Sequence, residues 1–261
     1  MHQTRIDHTP RRIRVRLDNT IVADSITARL IYATGRHPEY AIGATDVDWN
    51  RVEVGDADHR DELLGEYRTI RSAGSGEPVG RIYTSGPADQ LVQFDFAAMD
   101  AWFEEDEQIW VHARDPFRRV DVLESSRHVE VTVDGLVVAA TDRPRLVAET
   151  GLPARWYIPR ADVDFSMLAP SDTESTCQYK GIAAWFHVDA PGHDRLADVA
   201  WGYEQPVVDA SKLTGLVAFY AEHASVETYV AGIAQPKPEF EVGWLNPSLG
   251  LDNLNVVLAP V

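Results

Sequence analysis

The chain has 261 residues and a formal net charge of -17, from 24 basic and 41 acidic side chains. A surface this acidic repels phosphate backbones and anionic lipid, so no nucleic-acid and no membrane partner is expected. The single cysteine, Cys177, excludes an intrachain disulfide and a cysteine-based zinc site.

In chain order, residues 12–17 alternate apolar and polar, the period of a half-buried strand. Asp18-Asn19 tolerates positive φ and precedes a second β-branched run, which predicts a hairpin. A short helix is predicted near residues 99–105. The acidic run from Asp100 to Glu107 is expected to join two halves as a solvated linker. After it, His112, Arg114 and Asp115, with Arg127 further on, can hydrogen-bond across domains. Residues 128–133 alternate again and lead into Asp134-Gly135, a strong two-residue hairpin turn. Short strands follow at residues 145–150, 155–158, 182–188, 199–203 and 216–220, with a second short helix after Pro159 over residues 161–168. From residue 231 an irregular extension runs to Val261, and its Phe240, Trp244, Leu251 and Leu254 predict that it packs down. No apolar run approaches the roughly 20 residues of a membrane span. Met-His-Gln-Thr-Arg at the start lacks a signal-peptide core. The expectation is a cytoplasmic protein, as monomer or homodimer.

The chain also repeats itself. Shifted by 116 positions, residues 15–23 fall on residues 131–139. Without a gap, Leu30 then meets Leu146, Ile42 meets Ile158, and Asp46-Val47 meets Asp162-Val163. A looser match at another offset places residues 91–94 on 216–219. The reading is a tandem duplication with halves near 10–110 and 125–230, plus the extension 231–261. The fold class is mainly β, α+β with few short helices: two compact antiparallel domains.

Chemistry concentrates in one stretch, Cys177-Gln178-Tyr179-Lys180-Gly181, followed by Trp201. A lysine donor beside a flexible glycine can meet a phosphate or carboxylate, and Tyr179 can donate a second bond. On a regular strand Cys177, Tyr179 and Gly181 would share one face and Lys180 the other, unless Gly181 marks a bend. The structural alternative is a buried thiol and a snorkelling lysine. Ligand-binding candidates are therefore Cys177, Tyr179, Lys180 and Trp201, with Tyr157 and Arg155 on a neighbouring strand. Asp172 or Glu174 with His187 or His193 is a weaker acid–base constellation. Nine histidines without a close-spaced pair, and no Gly-rich phosphate loop, predict neither metal nor cofactor.

Residues 131–139, the run from Glu149 to Pro153, Arg155-Trp156-Tyr157-Ile158-Pro159, the Cys177–Gly181 motif, Ala200-Trp201-Gly202-Tyr203 and residues 215–220 occur in the order of one bacterial and fungal family. The chain resembles the domain of unknown function 427 family, which also carries a nucleotidyltransferase-like label. The resemblance implies small strand-rich domains, related to the β-tent architecture. It departs at Gln178, where the family has proline, and the first half lacks the motif altogether. Three functions follow as expectations: small-molecule or partner binding through the second half, an enzyme acting on a nucleotide or metabolite through Lys180 and Tyr179, and a non-catalytic interaction scaffold. Nucleotidyl transfer in particular would need paired metal-binding carboxylates that the sequence does not display.

Overall fold

The alternation read from the sequence becomes burial. Ile13, Val15 and Leu17, and equally Val129, Val131 and Val133, are buried, while Arg14, Arg16 and Glu130 between them stay half-buried. The structure, a computed structural model, describes residues 4–33 and 37–238. It divides into two units between Asp115 and Pro116.

The first unit contains β1 (Thr4–His8), β2 (Ile13–Leu17), β3 (Thr20–Ser25), β4 (Arg29–Ala33), β5 (Glu39–Gly43), β6 (Val52–Asp61), β7 (Gly65–Ser72), β8 (Pro78–Tyr83), β9 (Leu91–Phe94), β10 (Ala101–Glu104) and β11 (Glu107–Ile109). These form a seven-stranded antiparallel sheet, β1-β4-β5-β9-β8-β7-β6, and a four-stranded one, β11-β10-β2-β3. The second unit contains β12 (Val120–Glu124), β13 (Val129–Val133), β14 (Leu136–Thr141), β15 (Arg145–Glu149), β16 (Arg155–Pro159), β17 (Leu168–Cys177), β18 (Gly181–Val188), β19 (Leu196–Gly202), β20 (Leu216–Phe219), β21 (Val226–Val230) and β22 (Ile233–Ala234). Their order, β12-β15-β16-β20-β19-β18-β17 and β14-β13-β21-β22, reproduces the first unit strand for strand. Equivalent strands start 116 residues apart as far as β7 and β18, and 125 apart at β9 and β20. The change of offset comes from longer loops around β19. The duplication is therefore a structural fact.

Both predicted hairpins form. Asp18 and Asn19 (φ 48 and 61) and Asp134 and Gly135 (φ 48 and 82) occupy the positive-φ pair that a two-residue turn needs. Each unit has two cores. One lies between its sheets, with Val131, Val138, Ile158, Val217 and Phe219 in the second unit. The other lies on the opposite face of the seven-stranded sheet, because residues alternate sides: Val147, Tyr157, Trp185, Trp201, Tyr203 and Leu213.

Three expectations need correction. The segment near 99–105 is strand β10, not a helix, because Trp102 is buried and the strand pairs with β2 from Ala101↔Arg16 to Glu104↔Ile13; tertiary pairing overrides local propensity. The acidic run is consequently not a linker. It forms the β10–β11 hairpin of the first unit, with Glu105 at φ 52 in its turn. Residues 161–168 hold only two single 3-10 turns, Arg160–Asp162 and Phe165–Met167. Of the C-terminal extension, the part from residue 239 onward lies outside the described residues. Among the described residues, no helix is long and apolar enough to cross a membrane.

Candidate functional site

The Cys177–Gly181 motif is the tip of the β17–β18 hairpin. Cys177 and Gly181 are paired across it, and the Lys180 amide donates to the Cys177 carbonyl at 3.3 Å. The strand alternation expected for residues 177–181 therefore does not apply, because the chain turns there. Gly181 has φ +110, and a Cβ on it would lie 3.2 Å from the Gln205 carbonyl oxygen and 3.3 Å from the Pro206 Cα. The turn is pinned from the same side by the Val207 amide, which donates to the Lys180 carbonyl at 3.0 Å.

This bend carries the Lys180 side chain inward. Its Nζ lies 2.5 Å from Glu149 Oε1 on β15, and both side chains are about nine-tenths buried, at 10% and 9% exposure. The ammonium also sits 5.7 Å from the Tyr203 ring centroid. Burial works against the charged form, yet the phenols of Tyr203 and Tyr157 and the Glu149 carboxylate outweigh it and hold the Lys180 pKa well above its usual value. Burial likewise pushes the Tyr203 and Tyr157 phenols up. Beside them, Trp201 Nε1 donates to the Tyr157 hydroxyl at 3.2 Å, and the Arg155 guanidinium stacks 4.9 Å from the Trp201 ring. Four of the six ligand-binding candidates, Lys180, Tyr157, Trp201 and Arg155, are thus brought into one cluster. Cys177 packs half-buried at its edge. Tyr179 is held elsewhere, its ring 5.7 Å from the Arg118 guanidinium.

The first unit supplies a direct comparison. At the 116-residue offset, Leu64 stands where Lys180 does, Ala33 where Glu149 does, and Ala41 where Tyr157 does. Gly65 matches Gly181 and again has positive φ, +120. Asp61 replaces Cys177 and caps the turn, its Oδ1 accepting from the Leu63 and Leu64 amides at 2.8 and 3.0 Å. Leu64 is buried against Ile31, Ala41 and Tyr83. The same enclosure is built twice, once apolar and once around an ion pair. Desolvating two ions costs several kcal/mol each, and apolar replacement of such a pair is often neutral or stabilising. The fold therefore does not require the Lys180–Glu149 pair.

The open space is next to this cluster, on the side of Arg155. A cleft of about 700 Å³ in the second unit is lined by Arg127, Leu146, Arg155, Trp156, Phe219 and Lys237, among others. Arg155 contributes little free charge, since its guanidinium bonds Glu222 at 2.5 and 3.0 Å and the Phe219 carbonyl at 3.1 Å. Lys237 Nζ is capped by main-chain carbonyls, His223 at 2.8 Å, Ala224 at 3.3 Å and Val226. Arg127 is exposed, and its guanidinium lies 4.4 Å over the Trp156 ring. Among the described residues it has no carboxylate partner. The equivalent residues of the first unit, Arg11 and Tyr40, are tied up by their own chain. Arg11 donates to the Tyr40 hydroxyl at 3.3 Å and the Arg114 carbonyl at 3.1 Å, and Tyr40 donates to the buried Glu104 at 2.7 Å.

A family model described as Domain of unknown function (DUF427) matches residues 5–82 and again 121–232. The chain belongs to this family. Its two matched stretches fall one in each unit, so it is a tandem DUF427 protein. No curated protein matches the chain.

In this DUF427 protein the residues expected to work between domains make the following contacts inside their own units. His112 stacks on His37, with ring centroids 4.0 Å apart. Arg114 meets Glu107 at 3.2 Å, burial and then the Asp115 carboxylate raise the Tyr32 phenol, and Arg127 stands at the cleft. The acid–base pairs expected of Asp172 or Glu174 do not form. His187 faces Asp198 at 3.4 Å and accepts from its amide, and His193 lies 3.8 Å from Asp134. Glu149 and Trp156 enter the sequence pattern only as family-motif residues, and Glu222 not at all. Glu149 had a signal: it ends a strand in the only half that retains the lysine.

Proposed function

We propose that the second unit binds a small molecule in the cleft beside Trp156 and Arg155, and that the first unit is a fold-preserving copy without that role. One observation carries this reading. The same position in the repeat is satisfied internally by Arg11, Tyr40 and Glu104 in the first unit, and is left as an open cleft in the second, where Arg127 has no carboxylate partner among the described residues. A volume near 700 Å³, walled by aromatic and aliphatic side chains with a few polar groups, is the usual form of a small-molecule site. A half-buried free thiol at Cys177 fits a reducing cytoplasm.

The test is a thermal-shift and tryptophan-fluorescence screen of metabolites on wild type and Trp156→Ala. The expected outcome is a ligand that raises the melting temperature of wild type and has at least tenfold weaker effect on the variant. No response to any compound would remove the proposal.

An enzyme working through Lys180 and Tyr179 has weaker support. Lys180 is enclosed and held charged, so its amine is not free to act as a nucleophile or base. Tyr179 is not in the same cluster. The pair is better suited to shaping the wall behind Arg155 than to chemistry on a substrate.

A further inference from the structure

We infer that the ligand of this cleft is a planar aromatic molecule bearing an anionic group, a carboxylate or a phosphate, with Arg127 and Trp156 as its recognition pair. This rests on the reading of the cleft as a small-molecule site and adds the ligand's chemistry. The first ground is the charge left over once internal pairs are removed. Arg155 is neutralised by Glu222. Arg127 and Lys237 keep their charge, Lys237 because main-chain carbonyls orient an ammonium without cancelling it. Glu227 is the one carboxylate among the lining residues, and it accepts from the Tyr229 hydroxyl at 2.8 Å. Two cations thus face one carboxylate, in a chain whose net charge is -17. A locally positive concavity in such a molecule concentrates anions.

The second ground is shape. Trp156 lines the cleft, and the Arg127 guanidinium lies over its ring, 4.4 Å from the centroid. A flat ring gains by stacking on indole or on the guanidinium plane. The guanidinium fork, once turned from the indole, reaches a carboxylate or phosphate in two parallel hydrogen bonds. Arg127 is exposed and free to make that move, whereas its counterpart Arg11 is fixed by Tyr40 and the Arg114 carbonyl.

The experiment is isothermal titration calorimetry on the full chain with four probes: indole-3-carboxylate, neutral indole, a nucleoside 5′-monophosphate and inorganic phosphate. The expected result is saturable binding of one or both planar anions, at least tenfold tighter than indole or phosphate alone. Which of the two binds separates a carboxylate from a phosphate ligand. Arg127→Ala and the milder Arg127→Gln should each weaken that binding about tenfold, the loss expected for a charge-assisted bond. Arg195→Ala, which changes an exposed arginine outside the cleft, should leave it unchanged. Equal binding of indole and the planar anions, or anion binding indifferent to both Arg127 variants, would overturn the inference and leave the cleft as a binding site. Failure of all four probes, where the metabolite screen finds a Trp156-dependent ligand of other chemistry, would overturn it too. Failure of both experiments would overturn the cleft itself.

Discussion

Lys180 and Glu149 show why burial alone does not separate a structural residue from a functional one. Each ion is enclosed and each depends on the other, so removing one strands its partner. Lys180→Leu is expected to destabilise the protein by about 3–5 kcal/mol, because the Glu149 carboxylate is left unpaired. The double change Lys180→Leu with Glu149→Ala copies Leu64 and Ala33 of the first unit, and is expected to fall within about 1 kcal/mol of wild type. Urea unfolding of the three proteins decides it; a double variant as unstable as the single one would show that the pair is needed by the fold. The pH dependence follows from the same contacts. The folded-state pKa of Lys180 lies above the unfolded value near 10.5, so its contribution is whole below that pH and is lost as pH rises through the folded value. Tyr157 and Tyr203, also raised by burial, push the same way. Wild type is therefore expected to lose stability above about pH 10, and the double variant less steeply, in urea midpoints measured between pH 8 and 11.5.

At the scale of the element, the β17–β18 hairpin turns a reactive-looking string of residues into an inward-pointing lysine. Gly181 enables this, and its first-unit counterpart Gly65 is tighter still: a Cβ there would lie 2.0 Å from the Ser85 carbonyl oxygen, against 3.2 Å at Gly181, while Gly135 has open space. All three have positive φ. Substitution by alanine should therefore cost about 1 kcal/mol at Gly135 from the backbone alone, and about 2–4 kcal/mol at Gly65 where a clash adds to it, with Gly181 between. Denaturation midpoints in any other order would refute the account. Other elements are legible in the sequence. Period-2 burial predicted β2 and β13, the Asp18-Asn19 and Asp134-Gly135 pairs predicted their turns, and the ungapped offset predicted that the units match. Other parts were hidden for physical reasons. The run Ala101–Glu104 is a strand because β2 offers it a partner, which no local window reveals. Lys180 meets Glu149 across 31 positions of chain, and only the closing of the sheet's second face brings them together. The cleft was invisible for the same cause, since Arg127, Trp156 and Lys237 lie on separate stretches of chain.

For the whole molecule, duplication separates two demands that a single domain must meet at once. Each unit carries a complete pair of sheets and both of its cores, so one copy can keep the fold with Leu64, Ala33 and Tyr40 while the other holds the Lys180–Glu149 pair and open space. The family match repeats over both units, yet the Cys177–Gly181 motif stands in one of them alone. It follows that the second unit should suffice on its own. A fragment of residues 116–261 is expected to unfold in one cooperative transition with the circular dichroism of a β protein. It should bind the cleft's ligand within about threefold of the full chain, since every residue lining the cleft belongs to it. The complementary fragment, residues 1–115, should fold equally well and bind nothing in that assay, because Arg11 and Tyr40 are already engaged. Ligand binding by the first fragment, or its absence from a folded second fragment, would show that the division of labour is not the one drawn by these side chains.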